Sequence, residues 1–328
     1  AETAAEQYDL DGKRNLSLLH RSENVTFLLS GEVDERPREV LRVARPGYHT
    51  AEELEAEIQW LEELAGMEKH QVRTACPIRN RKGRGVSFIS LNGKRYSCVM
   101  FEYLRGRAPD PKTDADAAED FCKIGEIAAR LHRQTMRWQE SRKLCRRHWD
   151  YEGMLGPKGW FGNWRDCREL NAQEHDCLEW TCHVIKERLE RYGKTETNYG
   201  LIHSDLRAAN LLKHEEQIQV LDFDDCGFGW HLYDLAASLS FIEDDRQVPE
   251  WIGSWLEGYE KILPLTKKDK DEIPTFLVAR RIQLLAWLTS HDDSDPVKTY
   301  YPGFARKTVE LAAEYLEGQG IWRNGFVR

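Results

Sequence analysis

The sequence contains no C-x-x-C pair. Its 8 cysteines stand scattered at 76, 98, 122, 145, 167, 177, 182 and 226, so the ligand spacing of a structural zinc site or a dithiol redox centre is missing. Isolated thiols of this kind suit a reducing compartment, and a cytoplasmic location is the expectation. Also missing is any uninterrupted apolar run near the roughly 20 residues that cross a bilayer. Residues 1–10 are acidic and lack the basic-then-apolar order of a signal peptide, so no membrane partner is expected. An excess of basic charge is absent too: 47 Lys plus Arg stand against 56 Asp plus Glu, a formal charge of −9. That balance argues against nucleic acid as a partner and is easier to reconcile with a cationic small molecule. There is no internal repeat and no low-complexity segment.

What is present is a chain of 328 residues, 41% hydrophobic and 10% aromatic with 11 Trp, enough for two well-packed lobes of unequal size. Over residues 15–44, short apolar segments (16–19, 25–29, 40–43) separated by Ser, Glu, Gly and Pro read as strands joined by turns. Thr50-Ala-Glu-Glu53 then offers a capping box, and Leu54, Ile58, Leu61 and Leu64 follow at helical spacing. Two further apolar runs, 86–91 and 95–103, are linked by Asn92-Gly93, a strong hairpin signal. The texture then turns helical, with helices expected over 117–135, 172–192, 248–262, 273–290 and 304–316. A small strand island (200–202 and 218–223) lies among them, and residues 136–170 remain unassigned. The division expected is an N-terminal lobe over 1–104 and a C-terminal lobe over 105–328.

The chemistry is concentrated in His203-Ser-Asp205-Leu-Arg207-Ala-Ala-Asn210, followed by Val220-Leu-Asp222-Phe-Asp224-Asp225. The first run has the H-x-D-x-x-x-x-N form of a kinase catalytic loop, and the second puts an Asp-Phe pair just past a short strand. Phosphoryl transfer needs positioning and charge neutralisation more than covalent chemistry. Asp205 is the expected base for a hydroxyl proton, Asn210 and Asp222 the expected magnesium ligands, and Arg207 the cation beside the transferring phosphate. An isolated Asp-x-x-x-x-Asn is common in turns. The preceding strand, His203 and the strand that delivers Asp222 set this one apart. His203 itself reads as a buttress of the loop.

These residues, together with Leu221-Asp-Phe-Asp-Asp-Cys-Gly-Phe-Gly229, Tyr233-Asp-Leu-Ala236 and the helix Gly125-Glu-Ile-Ala-Ala-Arg-Leu-His132, resemble the aminoglycoside phosphotransferase superfamily, which includes choline kinase and homoserine kinase. The resemblance covers most of the chain, with its sharp motifs over 201–236. It implies an α+β, protein-kinase-like two-lobed fold: an N-terminal antiparallel sheet with one main helix, a larger, mostly helical C-terminal lobe, and ATP or another nucleoside triphosphate with magnesium between them. It also implies that Asp234 steadies the catalytic loop. Where such folds carry a phosphate-holding lysine paired with a helix glutamate, this chain offers Arg42 with Glu57. Ser22 and Asn24 stand in the turn expected to cover the phosphates, and Glu102 to Leu104 in the expected adenine-binding hinge.

Asp222 is followed almost at once by Gly227-Phe-Gly-Trp-His-Leu-Tyr-Asp234, with no A-P-E sequence and hence no platform for a peptide. A small-molecule hydroxyl acceptor is favoured: an amino alcohol, a homoserine-like compound or an aminoglycoside. The candidates to line its pocket are Glu243, Asp244, Asp245, Glu257, Tyr259 and residues 287–292, with the Trp-rich stretch 138–164 as a lid. Two other readings stay open. One is a stress-response-type Ser/Thr protein kinase, the other a nucleotide-binding pseudokinase motivated by Arg42 in place of lysine.

Overall fold

The computed structural model describes residues 1–21, 24–67, 72–291 and 303–318. Two compact units emerge. The first comprises residues 1–107, 143–146 and 212–224, the second 108–142, 147–211 and 225–328.

The first unit opens with a short helix α1 (Glu2–Ala5), then strands β1 (Arg14–Arg21), β2 (Val25–Gly31) and β3 (Pro37–Val43), helix α2 (Ala51–Ala65), and strands β4 (Arg73–Thr74), β5 (Pro77–Ile78), β6 (Ser87–Leu91) and β7 (Lys94–Glu102). The sheet runs β1-β2-β3-β7-β5, with β6 paired to β7. Its β1-β2, β2-β3, β3-β7, β5-β7 and β6-β7 pairs are all antiparallel. The β6–β7 turn places Asn92 at φ 51° and Gly93 at φ 74°. Two successive left-handed residues match the right-handed strand twist, which is why Asn-Gly serves there. Ala4, Ala5 and Tyr8 pack on Leu29, Leu41, Cys98 and Met100 on one face of the sheet.

The Thr50 side chain accepts from the Glu53 N–H while the Glu53 carboxylate accepts from the Thr50 N–H, closing the expected capping box of α2. The buried stripe of α2 is Leu54, Ile58, Leu61 and Leu64, and Glu57 is buried within it. A carboxylate on an apolar stripe is costly unless paired, so Glu57 requires a cation.

The second unit carries α3 (Ala117–Arg137), β8 (His148–Trp149), α4 (Tyr151–Leu155), α5 (Ala172–Tyr192) and β9 (Tyr199–Ile202). Strands β10 (Leu211–His214) and β11 (Gln217–Val220) come next in the chain but return to the first unit, where β11 pairs in parallel with β4, Gln219 opposite Arg73 and Val220 opposite Thr74. The expected strand island is therefore divided. β9 pairs with β12 (Gly227–Trp230), which also pairs with β8, while the strand delivering Asp222 belongs to the first unit's fold.

Helices α6 (Tyr233–Ser238), α7 (Val248–Glu260), α8 (Lys267–Asp271), α9 (Ile273–Ser290) and α10 (Phe304–Leu316) complete the second unit. Helices α3 and α7 approach closely through glycines. A Cβ on Gly125 would run into the Trp255 carbonyl and one on Gly258 into the Cys122 carbonyl. That contact brings His132 of α3 to Tyr259 of α7, with His132 Nδ1 2.9 Å from the Tyr259 hydroxyl.

Candidate active site

Within the second unit, the loop after β9 is held by its backbone. Asp234, on the first turn of α6, accepts from the Ser204 N–H at 2.6 Å and the His203 N–H at 3.2 Å. His132 Nε2 lies 2.8 Å from the same carboxylate, so a buried Tyr259–His132–Asp234 chain ends on two amides of the loop. These anchors impose an uncommon conformation: Ser204 sits at φ 67°, and its hydroxyl donates to the Asp225 carbonyl at 2.6 Å. His203 Nδ1 accepts from the Asp205 N–H at 3.2 Å, a buttressing contact.

Asp205 emerges from this frame with both carboxylate oxygens engaged. Oδ2 accepts from the Asn210 amide at 2.6 Å and from Arg207 Nε at 3.1 Å; Oδ1 accepts from Arg280 Nη2 of α9 at 2.5 Å. Asn210 also donates to the Asp205 carbonyl at 2.9 Å, which closes the loop on itself. With its NH₂ so engaged, the oxygen of Asn210 is the end left to face a donor or a cation. Burial alone would raise the Asp205 carboxyl, but the Arg207 and Arg280 guanidiniums outweigh it and hold the group below the usual carboxylate range.

Within the first unit, Arg42 of β3 and Glu57 of α2 form a two-pronged pair, Nη1 to Oε1 at 2.9 Å and Nη2 to Oε2 at 2.5 Å, which supplies the cation that the helix carboxylate needs. Arg42 Nη1 also lies 3.6 Å from Asp222 and 3.4 Å from Asp224, and its guanidinium faces the Phe101 ring at 5.3 Å. Burial opposes the charge on Arg42, yet the three carboxylates more than offset it and hold the proton more firmly than in water. Asp222, at φ 57°, has a half-exposed carboxylate, 49% accessible.

Asp224 is buried. Asn24 donates to it at 2.9 Å, His49 Nε2 lies 3.5 Å away, and Arg146 donates to its backbone carbonyl. Burial would raise the Asp224 carboxyl; Arg42 and His49 reverse that and hold it well down. Burial depresses His49 in turn, but Asp224 and Glu53 raise it above its ordinary value. Asn24, expected at the phosphate turn, has its amide engaged inside this cluster, its Oδ1 accepting from the Arg45 N–H at 3.2 Å. Ser22 lies outside the described residues.

Glu102 ends β7, its N–H donating to the Cys76 carbonyl at 2.9 Å and its carboxylate 3.8 Å from Arg73; Leu104 beyond it is buried. Three of the expected acceptor contacts prove to be engaged internally. Glu243 is buried against Arg281 at 2.8 Å, Asp244 pairs with Lys307, and Tyr259 is buried on His132. Asp292 lies outside the described residues. Sequence reading did not single out Arg280, His49 or Arg146, and it assigned Asp224 no role. Arg280, His49 and Arg146 lie in no recognisable motif position, and Asp224, though it stands within the run from Val220, finds its partners only through the fold.

An antiparallel sheet with one main helix, a mostly helical second unit and an H-x-D-x-x-x-x-N loop pinned by a downstream aspartate together define a protein-kinase-like phosphotransferase. The chain belongs to the phosphotransferase enzyme family, whose sequence pattern matches residues 17–271. Among solved structures it is similar to a microcompartment-associated aminopropanol kinase, 36% identical with a TM-score of 0.86 over 97% of each chain. An amicoumacin kinase in complex with AMP-PNP, Ca2+ and Ami shares the fold at 21% identity, with a TM-score of 0.73 over 94% of this chain and 92% of that one. The amicoumacin kinase of Bacillus subtilis is 23% identical over 284 residues, 81% of this chain and 80% of its own length. No helix among the described residues is long and apolar enough to cross a membrane.

Proposed function

We propose that this protein transfers the γ-phosphoryl group of ATP to the hydroxyl of a small amino alcohol, with Asp205 as the base. The observation that carries the reading is the Asp205 carboxylate itself, ionised and fixed by Arg207 and Asn210 on a loop whose amides are bound by Asp234. The acceptor oxygen forms its bond to the γ-phosphorus, the bond from that phosphorus to the bridging oxygen of ADP breaks, and the hydroxyl proton passes to Asp205. Because two guanidiniums keep Asp205 a weak base, its main contribution is to orient the hydroxyl, with proton transfer late. Arg207, bonded to Asp205, would offset charge on the transferring group.

The first unit's residues suit nucleotide phosphates and a hard cation. Among the described residues Arg42 Nε is buried without a hydrogen-bond partner, a donor that a phosphate oxygen would satisfy. Glu57, Asp222 and Asp224 together out-number Arg42 in charge, and the half-exposed Asp222 offers the oxygen ligand that magnesium prefers. Asp222 in the first unit and Asn210 in the second each offer an oxygen of the kind magnesium takes, and the ion would neutralise the phosphate oxygens. The pairing of Arg42 with Glu57 also supports turnover over a pseudokinase role, since a strand cation paired with a helix carboxylate is the arrangement kinases use to hold nucleotide phosphates.

The aminopropanol kinase at 36% identity makes that alcohol the first acceptor to test. ADP release should be followed with magnesium ATP and, in turn, aminopropanol, ethanolamine, choline, homoserine and an aminoglycoside. ADP release stimulated by one of these alcohols and abolished by Asp205→Asn is the expected result. Labelled phosphate appearing on protein and on none of the alcohols would overturn the reading.

A further inference from the structure

Arg280 lies 75 residues from Asp205 in sequence and is 1% exposed, yet its guanidinium ends on the Asp205 carboxylate. It is itself held at every prong. Nε donates to the Ser240 hydroxyl at 3.0 Å, Nη1 donates to the Tyr233 hydroxyl at 2.9 Å, and Nη2 donates to Asp205 Oδ1 at 2.5 Å. The partners are fixed in turn. The Ser240 hydroxyl donates to the Ala237 carbonyl at 2.7 Å, the Tyr233 hydroxyl donates to Gln283 Oε1, and the guanidinium lies 5.7 Å from the Phe161 ring. So α6, the turn after it and α9 form a bracket around one arginine whose remaining hand is on Asp205. Each guanidinium nitrogen thus has a fixed partner and the side chain is buried, so its effect on the reaction is expected to pass through the carboxylate it holds.

A carboxylate offers about four lone-pair directions. Arg280 uses one on Oδ1, and Asn210 and Arg207 use two on Oδ2. Rotation of the terminal carboxylate torsion is intrinsically soft. With both oxygens tied, Oδ2 by the loop and Oδ1 by α9, that torsion is restrained and a single direction remains for a further donor.

We infer that Arg280 is a positioning residue for Asp205: clamped by Ser240 and Tyr233, it fixes the carboxylate so that its one remaining acceptor direction meets the acceptor hydroxyl. The inference rests on Asp205 acting as the base. It differs from a plain structural ion pair in what it predicts. A structural cross-link would cost stability and leave turnover of the folded enzyme alone, whereas a positioning role costs turnover in protein that is still folded.

The test compares Arg280→Lys, Arg280→Met and Tyr233→Phe with wild type in magnesium ATP and aminopropanol, and with water as the acceptor when no alcohol is added, well below each variant's melting temperature. Arg280→Met should lower kcat by about 100-fold while the KM for ATP stays within about twofold, as expected when a reacting group is misplaced and binding is not. Arg280→Lys should recover part of that loss, and Tyr233→Phe, which leaves Asp205 untouched, should show a smaller fall in kcat in the same direction. Wild-type kcat in folded Arg280→Met, or melting temperatures that fall with kcat unchanged, would overturn the inference. If Arg280→Met does not fold, Arg280→Lys and Tyr233→Phe decide, and wild-type kcat in both overturns it. Asp205→Asn is run alongside. Full activity there removes Asp205 as base and fails the functional reading itself, whereas an inactive Asp205→Asn beside fully active Arg280 variants fails only the inference.

Discussion

Arg42 and Glu57 meet through two parallel hydrogen bonds, 2.9 and 2.5 Å, joining the third strand of the sheet to the buried stripe of the helix that follows it. A lysine would meet the Glu57 carboxylate from a single point, whereas Nη1 and Nη2 of Arg42 take one oxygen each and Nη1 also lies 3.4 Å from Asp224. Arg42 is therefore one member of a linked set of charges, with Asp224 beside it and His49 in turn on Asp224.

Arg42→Lys accordingly should weaken nucleotide use without restoring the ordinary kinase arrangement. The expected fall in kcat/KM for ATP is about tenfold, or ~1.4 kcal/mol, with Arg42→Met falling further because Glu57 then stays buried without a cation and Asp224 keeps His49 but loses Arg42. Steady-state kinetics at varied ATP checks it. An Arg42→Lys enzyme with unchanged kcat/KM would show that the second prong carries nothing.

Asp205 and Asp222 separate on binding. Asp205→Asn should lower kcat by roughly 10²–10⁴, the range for a lost acid–base group, and leave ATP affinity near wild type. Asp222→Asn should lose affinity for magnesium ATP while binding of metal-free nucleotide changes little, since what it removes is a ligand charge. Calorimetric titration with and without magnesium distinguishes the two. Equal loss of metal-dependent affinity in both variants would contradict the assignment.

How much of this was legible in the sequence depends on how local each signal is. Thr50 and Glu53, three residues apart, formed the expected capping box, and Asn92-Gly93 formed the expected turn, because each motif holds its whole cause within a few residues. The run from His203 to Asn210 is legible for the same reason. Arg280 finds Asp205 across 75 residues and Arg146 finds Asp224 across 78, and nothing in their own neighbourhoods marks them. Glu243 and Tyr259 misled in the opposite way: an acid and an aromatic in the right region look like substrate contacts until Arg281 and His132 are seen against them. Helix α1, four residues long, is too short for a period to show.

Gly258 offers a test of the packing that places His132. Alanine in a helix interior is favoured over glycine by roughly 1 kcal/mol, so Gly258→Ala would stabilise α7 if the site were open. It is not open: the new Cβ meets the Cys122 carbonyl of α3, and a backbone cannot step aside as a side-chain tip can. Overpacking of about 1–3 kcal/mol should win, giving net destabilisation in urea unfolding. A stabilised variant would mean that α3 and α7 can slide apart at little cost.

His231 provides the pH test. It is buried and stacked on His132, ring centroids 4.4 Å apart, and burial first, then the neighbouring imidazole, push its pKa well below the ordinary value. In the unfolded chain the ring titrates near 6.5, so between that pH and the lower folded value the unfolded state binds the extra proton. Stability from the neutral ring is thus complete above about pH 6.5 and declines as pH falls through the window beneath it. His231→Phe, which keeps an aromatic face toward His132, removes the titrating group. Its urea unfolding free energy should drop less than that of wild type between pH 7.5 and 5.5, by roughly 1 kcal/mol for each pH unit of the window crossed. Parallel declines in the two proteins would show that His231 takes up its proton as readily folded as unfolded.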